Sequence, residues 1–70
     1  MPARSAFGSR DRQVVEARAA RADLLLEAAA YQEALDAYTD VRPDALHSHG
    51  PQDALIAHID AGIADCEEWL

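Results

Sequence analysis

Apolar positions recur along the first half of the chain at Val14, Ala17, Leu24, Ala28, Tyr31, Leu35 and Tyr38. This is the three-and-four spacing that lays one stripe along an α-helix. Arg21 interrupts the stripe, and Val15, Leu25 and Val41 widen it. From Ser9 to Arg42 no Gly or Pro occurs in 34 residues, so the pattern predicts one long helix over about 9–41. Ser9 or Asp11 can cap its start by accepting an orphan backbone N–H. Pro43 closes it, because the residue before a proline is pushed out of the helical region. A second stripe, Leu55, Ile59, Ile63, Cys66 and Leu70, has Ile56, Gly62 and Trp69 alongside. It predicts a shorter helix over about 52–69, with Pro51 suited to the first turn. Residues 42–51 hold two prolines, Gly50 and the run His47-Ser48-His49 and read as a loop. Residues 1–8, with Pro2 and Gly8 as breakers, read as a disordered lead-in to a single helical domain over 9–70.

Two helices joined by a short loop pack antiparallel, so the expected fold class is all-α, an antiparallel helical hairpin with one long and one shorter helix. Its core would be Leu24, Tyr31, Leu35, Leu55, Ile59 and Ile63. The lengths do not match. At about 1.5 Å per residue the first helix outruns the second by roughly 20 Å, and Ser9–Arg21 is left overhanging with Val14 and Val15 on it. A break near Ala28–Ala30 would give three short helices instead, although no breaker residue asks for one. The overhang points to completion by oligomerisation, with an antiparallel dimer favoured, or by a larger protein partner. In such a dimer Arg18 and Arg21 would meet Glu33, Asp36 and Asp40 of the second copy, and Val14, Val15, Arg18, Arg21, Tyr31 and Tyr38 are the expected interface residues.

Composition strengthens the case for a partner. Sixteen of the 70 residues are Ala, which favours helix but buries little area. A chain this short sits near the size at which one core only just offsets the entropy of ordering the backbone. The net charge of −7 is uneven. Residues 1–21 carry five Arg against Asp11 and Glu16, whereas residues 22–70 carry eleven acids against Arg42 alone. An acidic body disfavours nucleic acid, whose phosphates need a basic face. No stretch of about 18 apolar residues is present to span a membrane, and no signal-peptide run is seen. Cys66 is the one cysteine. A lone thiol fits a reducing compartment, so the expected location is cytoplasmic.

Candidate chemistry is sparse. His47 and His49 flank a single residue and are the weak candidates for a metal, needing further ligands from Asp44, Asp53 or another chain. His58 and Cys66 lie about 12 Å apart along one helix and cannot share an ion. Cys66, on an apolar stripe among Asp65, Glu67 and Glu68, reads as core rather than nucleophile. No catalytic order of residues and no phosphate-binding loop is present, so neither an enzyme nor a cofactor is expected. The segment Ala28-Ala29-Ala30-Tyr31-Gln32-Glu33-Ala34-Leu35-Asp36-Ala37-Tyr38 resembles the second-helix half of a tetratricopeptide repeat. Arg18 and Arg21 stand where the preceding helix of such a repeat would carry a large aromatic and a Leu, and no second copy of the pattern follows. The resemblance is one of helix-hairpin patterning and implies no family. The expected role is protein–protein interaction, as a self-associating structural or regulatory subunit. The alternatives are an acidic, antitoxin-like inhibitor covering a basic surface, and metal binding by the histidine loop.

Overall fold

The computed structural model describes residues 11–70 and contains three α-helices: α1 (Arg12–Glu27), α2 (Tyr31–His49) and α3 (Ala54–Trp69). No strand occurs among the described residues. The expected lead-in 1–8 and the expected start at Ser9 lie outside them. Successive helices run antiparallel, as paired residues show. Arg12 of α1 reaches Ser48 near the end of α2, Arg18 reaches Asp44 and Asp40, and Asp23 receives Tyr38. On the other side of α2, Arg42 binds Asp60 and Tyr31 stacks on Trp69. Both α1 and α3 pack mainly on α2 and touch each other sparingly.

The long helix expected over 9–41 is two helices. Its break falls at Ala28–Ala30, where Ala29 takes a left-handed φ of 61°. The Ala30 N–H bonds back to Leu25 O at 2.9 Å and the Ala29 N–H to Leu26 O at 3.0 Å, the two reversed bonds that close a helix in the Schellman manner. Local preference opposes this turn. Three alanines favour helix, and a left-handed non-glycine residue costs about 1–2 kcal/mol. Tertiary burial outweighs it. Folding back covers Val15, Ala19 and Ala22 of α1, and Val15 alone gains roughly 1.5–3 kcal/mol when buried. The overhang that a two-helix hairpin would leave is thereby removed within the chain.

Pro43, expected to end a helix, lies inside one. α2 continues through it to His49, so the loop expected over 42–51 shrinks to the residues around Gly50–Asp53. Pro43 has no N–H for the carbonyl of Thr39, and both residues are on the exposed side, where water can satisfy that oxygen. Buried Val41 and Ala45 on the opposite side hold the helix together across it. Gly50 then stops α2 with φ 88° and ψ 157°, a region essentially reserved for glycine. Asp11 caps α1 by accepting from the Gln13 N–H at 2.9 Å, and Asp53 caps α3 through the Leu55 N–H at 2.9 Å.

The core joins Val15, Ala19 and Ala22 to Ala34, Tyr38, Val41 and Ala45, and then to Ile56, Ile59 and Cys66. Of the expected core, Ile59 is fully buried, and Leu35, Leu55 and Ile63 pack against it partly covered. Tyr31 is half-buried. Leu24 is 65% exposed and is not core. The buried seam of α1 steps from Val15 to Ala19 to Ala22 to the partly buried Leu26, which turns Leu24 to the outside. At the centre the ring of Tyr38 lies directly over Gly62. A Cβ built on Gly62 would stand 2.4 Å from Tyr38 Cζ and 2.6 Å from Cε2.

Two stability outcomes follow. Gly62→Ala should destabilise by about 1–3 kcal/mol despite the better helix propensity of Ala, because a close-packed core resists an added methyl. In a Tyr38→Leu background the same substitution should lose most of that penalty, and equal effects in both backgrounds, measured by denaturant unfolding, would show the ring contact to be unimportant. Ala29→Gly should be neutral or stabilising by up to about 1 kcal/mol, since glycine adopts the left-handed conformation without a Cβ penalty. A clear loss of stability in Ala29→Gly would mean that the turn is not where the chain reverses.

Candidate functional site

Three helices contribute one side chain each to a polar node. Asp23 comes from α1, Tyr38 from α2 and His58 from α3. The buried Tyr38 hydroxyl donates to Asp23 Oδ1, and His58 Nε2 lies 2.8 Å from the same oxygen. With a carboxylate accepting, that nitrogen carries the hydrogen of the imidazole. Burial first, and then the adjacent Asp23 carboxylate, push the ionisation of Tyr38 well above the ordinary tyrosine range. Tyr38 is thus a donor held neutral, and its ring can be deep in the core because its hydroxyl has a partner.

A second chain of side chains joins α1 to the end of α2. Ser48 Oγ lies 2.7 Å from His49 Nδ1, and His49 Nε2 lies 3.0 Å from Glu16 Oε2. The His49 side chain is 2% exposed. A serine, an imidazole and a carboxylate in line resemble the parts of a nucleophile, yet the surroundings are wrong for acyl transfer. Ser48 and His49 occupy the last turn of α2, where backbone carbonyls gather and the helix dipole is negative. A developing oxyanion there would meet acceptors instead of donors. The same setting suits a histidine that bonds an acid and ties two helices together.

The six expected interface residues are divided by the fold. Val15 and Tyr38 are buried inside the chain, and Val14 is half-buried. Arg18 bonds Asp44 at 2.8 Å and Asp40 at 3.1 Å, so one acid assigned to a second copy, Asp40, is met within the chain. Tyr31 stacks on Trp69 with centroids 5.8 Å apart and planes 14° from parallel. Arg21 is exposed. His47 and His49 stand on a helix and not in a loop. Two residues apart, they project about 200° from each other around the axis and cannot grip one ion. Among the described residues no group of three His, Cys, Asp or Glu is placed to hold a metal. Cys66 is fully buried, and burial pushes its thiol pKa up, with Asp65 and Glu67 adding to the effect.

Two surface features escaped the sequence reading. An open groove of about 410 Å³ runs between α1 and α2, bordered by Arg21 and Leu25 on one helix and Glu33, Asp36, Ala37 and Asp40 on the other. In addition Leu24, Trp69 and Leu70 are 65%, 67% and 63% exposed. The groove was hidden because it exists only once α1 folds back beside α2. No helix of the described residues is long and apolar enough to cross a membrane.

The tyrosine predicts an alkaline limb. A pKa raised by folding gives stability that is complete below the ordinary tyrosine value of about 10 and is lost as pH rises toward the folded-state value. Tyr38→Phe should cost about 0.5–1.5 kcal/mol near neutral pH and flatten the alkaline loss seen in the parent. Thermal melts across the alkaline range check this, and an unchanged limb in Tyr38→Phe would exclude Tyr38 as the group responsible. No family model matches the chain, and no curated protein or solved structure matches it significantly.

Proposed function

We propose that this protein acts by binding another protein chain, as a small acidic helical interaction subunit without chemistry of its own. One observation carries the reading: some bulky apolar side chains are outside while alanines take up part of the core. Ala19, Ala22, Ala34 and Ala45 are buried, whereas Leu24 and Trp69 are about two-thirds exposed. A fold selected for its own stability alone gains more by burying the large residues, at roughly 1.5–3 kcal/mol each. Solvent-facing large residues at fixed positions are the usual material of protein contacts. Trp69 is held in place by its stack on Tyr31, so little side-chain entropy remains to be lost when a partner covers it.

The partner can be a second copy or a larger protein, and a cytoplasmic setting fits the single reduced thiol. The acidic binder that covers a basic surface is the second reading, favoured by the groove with Glu33, Asp36 and Asp40 along one wall. Metal binding through His47 and His49 is the third reading, and their placement two residues apart on α2 sets them on different sides of the helix.

Trp69 is the one tryptophan of the chain and reports its own burial. For self-association, mass by light scattering should rise with concentration while Trp69 emission moves to shorter wavelength. Leu24→Ser should weaken both changes and leave the helical content intact. A monomer at every concentration with unmoved emission would remove the second copy as partner. Equal behaviour of parent, Leu24→Ser and Trp69→Ser toward any partner captured by the parent would defeat the proposal that these side chains do the binding.

A further inference from the structure

We infer that the groove between α1 and α2 takes a basic amphipathic helix from a different protein, with one bulky apolar side chain seated against the apolar part of its lining. The inference rests on the interaction reading above and names the partner's chemistry. Along α2 the wall residues Glu33, Asp36, Ala37 and Asp40 follow at intervals of three, four and seven, so the carboxylates form one row of about two turns, roughly 10 Å long. A helix laid alongside offers cations at the same intervals, which is why a helix fits this row better than an extended strand. Across the groove stand Arg21 and Leu25, one turn apart on α1. Leu25 and Ala37 supply the apolar part of the lining, and exposed Leu24 precedes Leu25 in the chain.

Charge decides the class of occupant. Three acids face one Arg in the groove, so phosphate-bearing ligands are repelled and cations attracted. The apolar part of the lining requires more than a point charge, which is the property of an amphipathic basic segment. The described helices of a second copy do not fit the part. Among the described residues Arg12 is bonded to Ser48 O, Arg18 to Asp40 and Asp44, and Arg42 to Asp60, while Arg21 belongs to the groove itself. No described helix therefore presents a row of uncommitted cations to a sister molecule. Asp40 remains available despite its bond to Arg18, because its side chain is 81% exposed.

The test is an amide-resolved NMR titration of the full chain with two synthetic helical peptides. One carries Leu on one face and Lys and Arg at intervals of three and four, and the other has Glu in place of every cation. Both are repeated on a Glu33→Gln/Asp36→Asn variant, whose changes are on exposed positions and whose helicity is checked by circular dichroism. The basic peptide should shift residues 21–25 and 33–40, bind about tenfold more weakly to the variant, and weaken with added salt. The acidic peptide should not bind. Equal affinity for parent and variant, shifts spread over the acids of α3, or no binding of the basic peptide at all would overturn the groove assignment. Shifts gathered at Tyr31 and Trp69 would overturn it too, while leaving the interaction reading standing.

Discussion

The fold depends on the contact between Tyr38 and Gly62. The ring occupies the space that any side chain at position 62 would need, so α2 and α3 approach as closely as their backbones and one aromatic ring allow. The hydroxyl of the same residue reaches Asp23 on α1, and Asp23 also takes His58 from α3. A single side chain thus couples all three helices, by packing on one side and by a hydrogen bond on the other. Helices that meet mostly through alanine have little area to hold them. The large ring at the centre supplies what the small residues around it cannot, and its polar end is satisfied where an apolar ring would leave Asp23 without that donor.

Around this centre the charges serve mainly to fix register. Arg18 bridges to Asp40 and Asp44, and Arg42 forks onto Asp60 at 2.6 and 3.3 Å. Solvent screening leaves pairs of this kind little net weight in stability. Their value lies in favouring one alignment of neighbouring helices over a slip of one turn, which would separate every pair at once. Among the described residues, Arg18 of α1 and Arg42 of α2 therefore find their acids within one molecule. What is left among the described residues after that pairing is mainly acidic.

The helical class, the Asp11 cap, the buried Ile59 and the buried Cys66 were legible in the sequence because each rests on local spacing. The reversal at Ala28–Ala30 stood only as an alternative, since three alanines favour the opposite outcome and only distant burial selects the turn. Pro43 misled for a related reason. Its usual effect on the preceding residue was overridden by the buried positions Val41 and Ala45 on either side. The phase of α1 was ambiguous because Ala17, Ala19, Ala20 and Ala22 offer apolar positions on every face, so Leu24 was placed inside and Ala22 overlooked. Gly62 stood only alongside the second stripe, and its purpose became visible only with the ring of another helix above it. The candidate site suffered most, because the Asp23, Tyr38 and His58 node and the acidic groove both combine residues from helices that the pattern had fused into one or set apart.

Cys66 gives this arrangement a clock. Its sulfur is fully covered by the same core that holds Tyr38, and a thiol reacts only as an exposed thiolate. Every encounter with an alkylating reagent must therefore wait for α3 to part from α2. Because the chain has no other cysteine, labelling counts a single kind of event. The rate at which the protein breathes along its central seam is written into the lifetime of one unmodified sulfur atom.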